Sequence, residues 1–293
     1  MQIHCTGPYP AMNFTVEKVT PVCIDLVAEH KAAEHYLFLC SDVHWDNPKC
    51  NRDLFHNHLT EAKKRGAPIL IFGDFFCAMQ GKYDPRRSKK SIRPEHNASN
   101  YLDALVQGAA DDLKPYASNL ALISYGNHER AILSNCETDL LERLTMLLRD
   151  RDNSPVVKGG YHGFVRIIFR DKTKSKMLVM YFHHGKFGGV VSKGVQGIAR
   201  HGLAVPDADI IVTGHTHDQW HIKQPRFHLK RNGEMVVKDQ HHIKTGTYKE
   251  EFATDMSWAV ERIAMPKSLG GCWLRIAIGG HNLGNVEIQA IQT

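Results

Sequence analysis

Five short apolar runs in this chain are each followed within three residues by aspartate, asparagine or histidine. The runs cover residues 36–40, 68–72, 120–124, 176–182 and 210–212. Their lengths are those of buried β-strands, and segments with helical periodicity separate the first three. Such alternation indicates parallel strands joined by crossover helices, and ligands bind beyond the carboxyl ends of these strands. We therefore expect the five polar ends to meet in one cleft.

The polar residues at the strand ends are nitrogen and oxygen donors. In chain order they are Asp42 and His44, Asp74, Asn127 and His128, His183 and His184, and His215 and His217. In an extended segment, residues two apart point the same way, so His215 and His217 should aim at one point. A donor set without cysteine favours Mn, Fe, Zn or Co over a thiolate zinc site. The set is too large for one ion, but two ions ~3.5–4 Å apart would use it.

The remaining pattern predicts an α/β fold in a single domain, residues 1–293. Helices are expected near 51–64, 98–113 and 138–149, a hairpin over 164–182, and short strands at 219–223, 227–230, 234–238, 272–278 and 286–291. The strand-rich second half indicates a second, mixed sheet packed on the first. Residues 1–34 are interpreted as an N-terminal extension with a strand around residues 21–27, residues 78–97 as a basic loop insertion and residues 219–268 as a β-rich insertion or lid.

Composition narrows the class of protein but not its substrate. Apolar residues make up 42% and charged residues 23%, as in ordinary globular proteins. The net charge of +6 fits an anionic substrate or nucleic acid, and it fits simple solubility equally well. The chain has seven cysteines and no C-x-x-C pair, which favours a reducing, cytoplasmic location. It shows no signal-peptide pattern and no apolar run near ~20 residues, so we expect neither export nor membrane contact.

Five motifs together carry a family resemblance. Asp42-x-His44, Gly73-Asp74, Gly126-Asn127-His128-Glu129, His184-Gly185 and Gly214-His215-x-His217 resemble the blocks of the calcineurin-like metallophosphoesterase superfamily. The resemblance implies a four-layer αββα sandwich with two central mixed sheets. More loosely, residues 78–81 and 246–248 are similar to those of uncharacterised phosphoesterases of phages and bacteria.

The resemblance also implies roles for the donors. A first metal ion would be held by Asp42, His44 and His217, a second by Asn127, His184 and His215, and Asp74 would bridge them. His184 is preferred to His183 because the ligand of the family immediately precedes a glycine. Mn is the favoured metal, with Fe, Zn and Co as alternatives.

The implied reaction is hydrolysis of a phosphate ester. Two metals lower the pKa of a bridging water, so that hydroxide attacks phosphorus at neutral pH. His128 is the expected general acid and protonates the leaving oxygen. In protein phosphatases of the family an aspartate steadies this histidine, but Cys77 occupies that position here. Asp84 and Glu129 are the alternative partners.

The substrate remains open at this point. Candidate phosphate contacts are the basic residues Arg86, Arg87, Lys89 and Lys90 of the loop, and Lys186 and Lys193 of a glycine-rich stretch. Tyr83 and Trp45 are candidates for stacking on a base. The first hypothesis is a monoesterase or diesterase for a small phosphate ester. The alternatives are a DNA or RNA nuclease, with nucleic acid as the partner, and a non-catalytic scaffold.

Overall fold

A computed structural model describes residues 11–29, 34–79, 92–172, 174–186, 192–252, 265–279 and 285–293. In chain order, its elements are β1 (Thr15–Thr20), β2 (Cys23–Glu29), β3 (Glu34–Cys40), α1 (Arg52–Lys64), β4 (Ile69–Phe72), α2 (Tyr101–Leu113), β5 (Leu120–Ser124), α3 (Asn127–Cys136), α4 (Leu140–Asp152), β6 (Val157–Lys158), β7 (His162–Arg170), β8 (Ser175–His183), α5 (Gly197–Ala204), β9 (Ile210–Thr213), β10 (Trp220–Leu229), β11 (Met235–Lys244), β12 (Cys272–Gly279) and β13 (Asn285–Gln292).

The strands form two mixed sheets. The six-stranded sheet has the order β13-β12-β3-β4-β5-β6, and the seven-stranded sheet has the order β1-β2-β7-β8-β9-β11-β10. In the first sheet, β3 to β6 run parallel to one another. In the second sheet, β8, β9 and β11 also run parallel to one another. The carboxyl ends of the motif-bearing strands therefore lie along one edge of each sheet.

The two sheets pack face to face, which explains the unbroken apolar runs. Along β3, Leu37 and Leu39 belong to the core between the sheets, whereas Phe38 and Cys40 face the helices. A strand buried on both faces has apolar residues at every position rather than at alternate ones. Burial of both faces therefore requires helices on the outside.

Helices cover the outer faces of both sheets. The apolar sides of α1, α2 and α4 pack on the six-stranded sheet around Leu59, Leu105 and Leu144. The seven-stranded sheet has α5 on its outer side, where His201 lies against Tyr181. These layers confirm the predicted αββα sandwich.

Several predicted segments take a more regular form than expected. In the predicted N-terminal extension, β2 covers the strand expected around residues 21–27 and pairs with β7, whereas β1 was not expected and pairs with β2 at the edge of the sheet. The three short strands expected over 219–238 are two ten-residue strands, β10 and β11, and β11 pairs directly with β9. The division into one domain with insertions stays a prediction. Among the described residues, no helix is both long and apolar enough to span a bilayer.

Candidate metal centre

The five strand ends converge on one cluster of donors. The donors form two groups, and within each group the ligand atoms lie within 4.8 Å of one another. One group is Asp42, His44 and His217, and the other is Asp74, His184 and His215. The first group joins the ends of β3 and β9, and the second joins the ends of β4, β8 and β9. The cluster therefore lies where the carboxyl ends of strands from both sheets meet.

The backbone around these donors is not extended. Asp42, His44 and Asp74 each have φ of 51°, and His215 and His217 have φ of 75° and 59°. The expectation that strand alternation aims His215 and His217 is wrong, because β9 ends at Thr213 and a left-handed backbone follows. Left-handed non-glycine residues cost ~1–3 kcal/mol each and concentrate at functional sites.

Two glycines allow the strand ends to approach closely. A Cβ at Gly126 would lie 2.0 Å from Oδ1 of Asp74 and 2.3 Å from its backbone nitrogen. A Cβ at Gly214 would lie 2.2 Å from Oγ of Ser41 and 2.6 Å from Oδ2 of Asp42. Any side chain at either position would displace a carboxylate. Steric exclusion therefore explains why glycine occupies both positions.

The first group leaves a carboxylate oxygen bare. Oδ2 of Asp42 accepts the backbone N–H of His215 at 2.8 Å and also the hydroxyl of Ser41. Oδ1 of Asp42 is buried without a hydrogen-bond partner among the described residues, 3.4 Å from Nε2 of His217. Nε2 of His44 lies 3.2 Å from Nε2 of His217. The two rings and the bare oxygen thus face a common point.

The second group is held by hydrogen bonds to the surrounding backbone. Nδ1 of His184 lies 2.9 Å from the carbonyl of Phe72, to which it donates, so Nε2 is left as the free donor atom for a metal. That Nε2 lies 3.2 Å from Oδ2 of Asp74 and 3.3 Å from Oδ1 of Asn127. Oδ1 of Asn127 is also 2.9 Å from Nδ1 of His215.

The pKa values of Asp42, Asp74 and His184 show that the cluster favours positive charge. Burial raises the pKa of Asp42 and of Asp74, but neighbouring histidines, His184 foremost, outweigh burial and lower both values. Burial lowers the pKa of His184, yet Asp74 and Asp42 reverse this and raise it to about 10. The two buried carboxylates therefore favour positive charge at the position of His184. Burying such a pair of charges is costly unless positive charge accompanies it.

The residues fit a pair of divalent ions. The donors are imidazole nitrogens and carboxylate and amide oxygens, the set that suits Mn, Fe, Zn or Co. A bare buried oxygen on Asp42 and a raised pKa on His184 both indicate a place for a cation. Asp42 also links the groups, because its Oδ1 lies 4.0 Å from Nε2 of His184 as well as near His217.

His128 lies beside the donors and is positioned by contacts with Cys77 and Asp74. Its ring Nδ1 lies 2.7 Å from the backbone carbonyl of Cys77, to which it donates. Its backbone N–H donates to Oδ1 of Asp74 at 3.0 Å, and its Nε2 is 3.9 Å from Oδ2 of Asp74. The carbonyl of Cys77 therefore orients this ring at Nδ1.

Glu129 does not take that role. Its carboxylate accepts the backbone N–H groups of Asp74, Phe76 and Gly126 at 3.2, 2.8 and 2.9 Å. Burial and the nearby Asp74 raise the pKa of Glu129 to about 8. The side chain ties the end of β4 to the start of α3. Asp84, the other alternative, lies outside the described residues.

Two supporting residues were not predicted. Asp46 accepts the backbone N–H groups of Cys77 and Ala78 at 2.5 and 2.9 Å, which holds the loop under His128. Lys244 is buried and donates from Nζ to the carbonyl of Gly214 at 2.6 Å. Asp46 follows Asp42 and His44 at the same two-residue spacing, so the sequence could have indicated it. Lys244 lies beyond residue 238, where its strand was predicted to end.

The other candidates lie elsewhere. Nδ1 of His183 accepts the backbone N–H of Gly185 at 2.8 Å, and its ring lies 5.6 Å from that of His201, away from the metal donors. Trp45 is buried and donates to Asp112, so it is not available for base stacking. Lys186 and Lys193 are exposed, and Lys186 lines a small cavity on the outer face of the seven-stranded sheet. Tyr83, Arg86, Arg87, Lys89 and Lys90 lie outside the described residues.

A comparison with known protein families decides the class of this protein. The model of the calcineurin-like phosphoesterase family matches residues 36–219, a span that contains every donor of the cluster. The chain belongs to the calcineurin-like phosphoesterase family. Family membership agrees with the αββα architecture.

Three solved structures show low similarity to this chain. Vps29 of Entamoeba histolytica, solved with Zn²⁺, is 10% identical with a TM-score of 0.35, covering 88% of this chain and 98% of that one. A predicted phosphoesterase of Streptococcus pneumoniae is 11% identical with a TM-score of 0.30, covering 89% and 99%. GAP50 of Plasmodium, an anchor in the inner membrane complex, is 13% identical with a TM-score of 0.39, covering 89% and 85%. A comparison with curated proteins found no match.

Proposed function

We propose that this protein hydrolyses small phosphate esters with the help of two divalent metal ions, with Mn²⁺ favoured. The observation that carries the proposal is the position of Asp42 Oδ1. This bare, buried oxygen lies 3.4 Å from His217 in one donor group and 4.0 Å from His184 in the other. Two donor groups this close suit a pair of ions rather than two independent sites.

The roles follow the two groups. Asp42, His44 and His217 would hold the first ion, Asn127, His184 and His215 would hold the second, and Asp74 would bridge them. When bound, the two ions would supply Lewis-acid activation of water and neutralise charge on the phosphate. The chain's own contribution is a rigid donor set, because backbone N–H groups of His215 and His128 hold the carboxylates of Asp42 and Asp74.

His128 would deliver the proton to the leaving oxygen. Its Nδ1–H is committed to the carbonyl of Cys77, so Nε2 is the nitrogen that carries the transferable proton. Nε2 lies 3.9 Å from Oδ2 of Asp74, beside the donors and outside both groups of predicted ligands. A general acid needs this arrangement, since it must reach the leaving group without binding a metal.

A nuclease is the second candidate function. The net charge of +6 favours a polyanionic substrate, and the same metal chemistry would serve a phosphodiester of DNA or RNA. A non-catalytic scaffold is less consistent with the site, because left-handed backbone at five donors is a cost that packing alone does not explain.

A substrate panel tests the proposal. Protein stripped with a chelator and reloaded with Mn²⁺ is assayed on bis-p-nitrophenyl phosphate, p-nitrophenyl phosphate, and single- and double-stranded DNA. We expect Mn²⁺-dependent hydrolysis of a small ester, and loss of at least ~100-fold in Asp74→Asn and His217→Ala. Asp53→Asn, in the exposed first turn of α1, is the matched control. Unchanged activity in Asp74→Asn would refute the two-metal mechanism, and preferential cleavage of DNA would support the nuclease.

A further inference from the structure

We propose that Cys77, together with His44 and His128, forms an inhibitory binding site for one thiophilic cation such as Zn²⁺ or Cd²⁺. This site is distinct from the two donor groups above, although it shares His44 with one of them. The predicted inhibition rests on the proposed hydrolase function, whereas the predicted binding does not.

The three side chains are already close together. One ligand atom from each of His44, Cys77 and His128 lies within 4.8 Å of the others. The rings of His44 and His128 meet edge to face, with centroids 5.0 Å apart and an interplanar angle of 81°. Bonds of ~2.0–2.3 Å to a tetrahedral ion require these atoms to close in by about an ångström. Small side-chain rotations therefore complete a site with one sulfur and two nitrogens.

Cys77 is not placed like the other buried cysteines. Cys40 and Cys50 belong to the apolar cluster under the helices, and Cys272 belongs to the cluster between the sheets. Cys77 is equally buried but belongs to neither apolar cluster. Its Sγ instead accepts the side-chain amide of Asn47 at 3.2 Å. The thiol thus contacts the polar side chain of Asn47 and does not pack within an apolar cluster.

The backbone holds the thiol in place. Asp46 accepts the N–H groups of Cys77 and Ala78, and the carbonyl of Cys77 accepts Nδ1–H of His128. The backbone N–H of His44 donates to the carbonyl of Asp74 at 3.0 Å, and its Nδ1 is buried without a hydrogen-bond partner among the described residues. A preformed loop of this kind lowers the cost of organising ligands around an ion.

The chemistry selects a soft ion. Burial raises the pKa of the Cys77 thiol, so its proton leaves for solvent only when a cation takes its place on sulfur. Thiolate binds Zn²⁺ and Cd²⁺ far better than Mn²⁺, which prefers oxygen and nitrogen donors. The site therefore stays empty with Mn²⁺ and fills with thiophilic ions.

Occupation of this site would stop the reaction. His128 would give a ring nitrogen to the ion and could no longer carry the proton for the leaving group. His44 would be drawn from the first donor group at the same time. An enzyme activated by Mn²⁺ should accordingly be inhibited by Cd²⁺ and by excess Zn²⁺.

Titration of Cd²⁺ into the Mn²⁺-loaded protein tests the inference. Ultraviolet absorption reports the cadmium–thiolate charge-transfer band, and hydrolysis of bis-p-nitrophenyl phosphate is followed in parallel. We expect a band that saturates as activity falls. In Cys77→Ser and Cys77→Ala the band should be lost and the Cd²⁺ concentration for half-inhibition should rise at least tenfold. Cys136→Ser, a partly buried cysteine at the end of α3, is the control and should behave as the wild type.

The binding step is also testable without a variant. Anomalous scattering from Cd²⁺-soaked crystals of the wild type should place an ion on Cys77 Sγ. An ion only at the Asp42 and Asp74 groups, or an unchanged band in Cys77→Ser, would overturn the inference. If the protein hydrolyses no ester but shows the Cys77-dependent band, the proposed function fails and the cation site stands.

Discussion

The ring of His128 donates from Nδ1 to the backbone carbonyl of Cys77 at 2.7 Å. A carbonyl fixes the tautomer and the orientation of the ring, as a carboxylate would, but it adds no negative charge. If His128 acts as the proposed acid, the proton that it transfers is the one on Nε2, the nitrogen near Asp74.

Removal of this acid should matter most for poor leaving groups. We expect His128→Gln to lower kcat by ~10²–10⁴ on an alkyl phosphate ester. The loss should be much smaller on a p-nitrophenyl ester, whose leaving group needs little protonation. His162→Gln, at an exposed histidine, is the control. Equal losses on both substrates would show that His128 is not the acid.

A methyl group at Gly126 should disrupt the centre without unfolding the protein. Its Cβ would clash with Oδ1 of Asp74, so the carboxylate that is proposed to bridge the two ions must move. We expect Gly126→Ala to lose at least one Mn²⁺ per chain and most activity. Gly233→Ala adds the same group in open space at a φ of 85°, which costs ~1–2 kcal/mol of stability and should leave metal content unchanged. Retained Mn²⁺ in Gly126→Ala would contradict the tight approach of β4 and β5.

The sequence predicted the framework of the fold because its strands are buried on both faces. β4 and β5 appear as unbroken apolar runs, and α1 has its asparagine cap at Asn51. β1 escaped prediction, because five of its six residues are exposed at the edge of the sheet and carry no apolar pattern. Strand β11 was cut short because its buried end contains His241, His242 and Lys244, which are not typical of a core.

The sequence also predicted which donors would meet, but not how. Residue type marks Asp42 and His217 as candidate ligands, whereas the left-handed backbone that orients them has no signal in residue type. The backbone contact of His128 was not predicted for a related reason. A backbone carbonyl can belong to any residue, so only the path of the chain at Cys77 reveals it.

Lys244 should raise the affinity for metal ions by supporting the backbone next to His215. Its Nζ donates to the carbonyl of Gly214, directly before His215, and Lys244→Met would remove this charged donor and leave the backbone N–H of Thr216 at that carbonyl. Loss of such support typically lowers metal affinity by ~10–100-fold. Isothermal titration with Mn²⁺ measures the effect, with Lys238→Met at an exposed position of the same strand as the control. An unchanged affinity would show that the loop of His215 holds its shape alone.

Two histidines of β11 should make the fold sensitive to acid. Burial lowers the pKa of His241 and of His242 to about 4, below the ordinary value of 6.5. Between these values the unfolded chain binds protons that the folded chain excludes, so stability falls as pH decreases from about 6.5 to 4. Urea unfolding of the metal-free protein at pH 7 and pH 5 measures this loss. The loss should be smaller in the His241→Gln, His242→Gln double variant, and an equal loss would assign the effect to other groups.

The number of Mn²⁺ ions bound per chain tests the central claim most directly. Equilibrium dialysis followed by elemental analysis should give two ions per chain for the wild type and fewer for Asp74→Asn, since Asp74 is proposed to touch both. Asp53→Asn should retain two. A wild-type count of one ion or none, or a count of two in Asp74→Asn with full activity, would contradict a dinuclear centre bridged by Asp74.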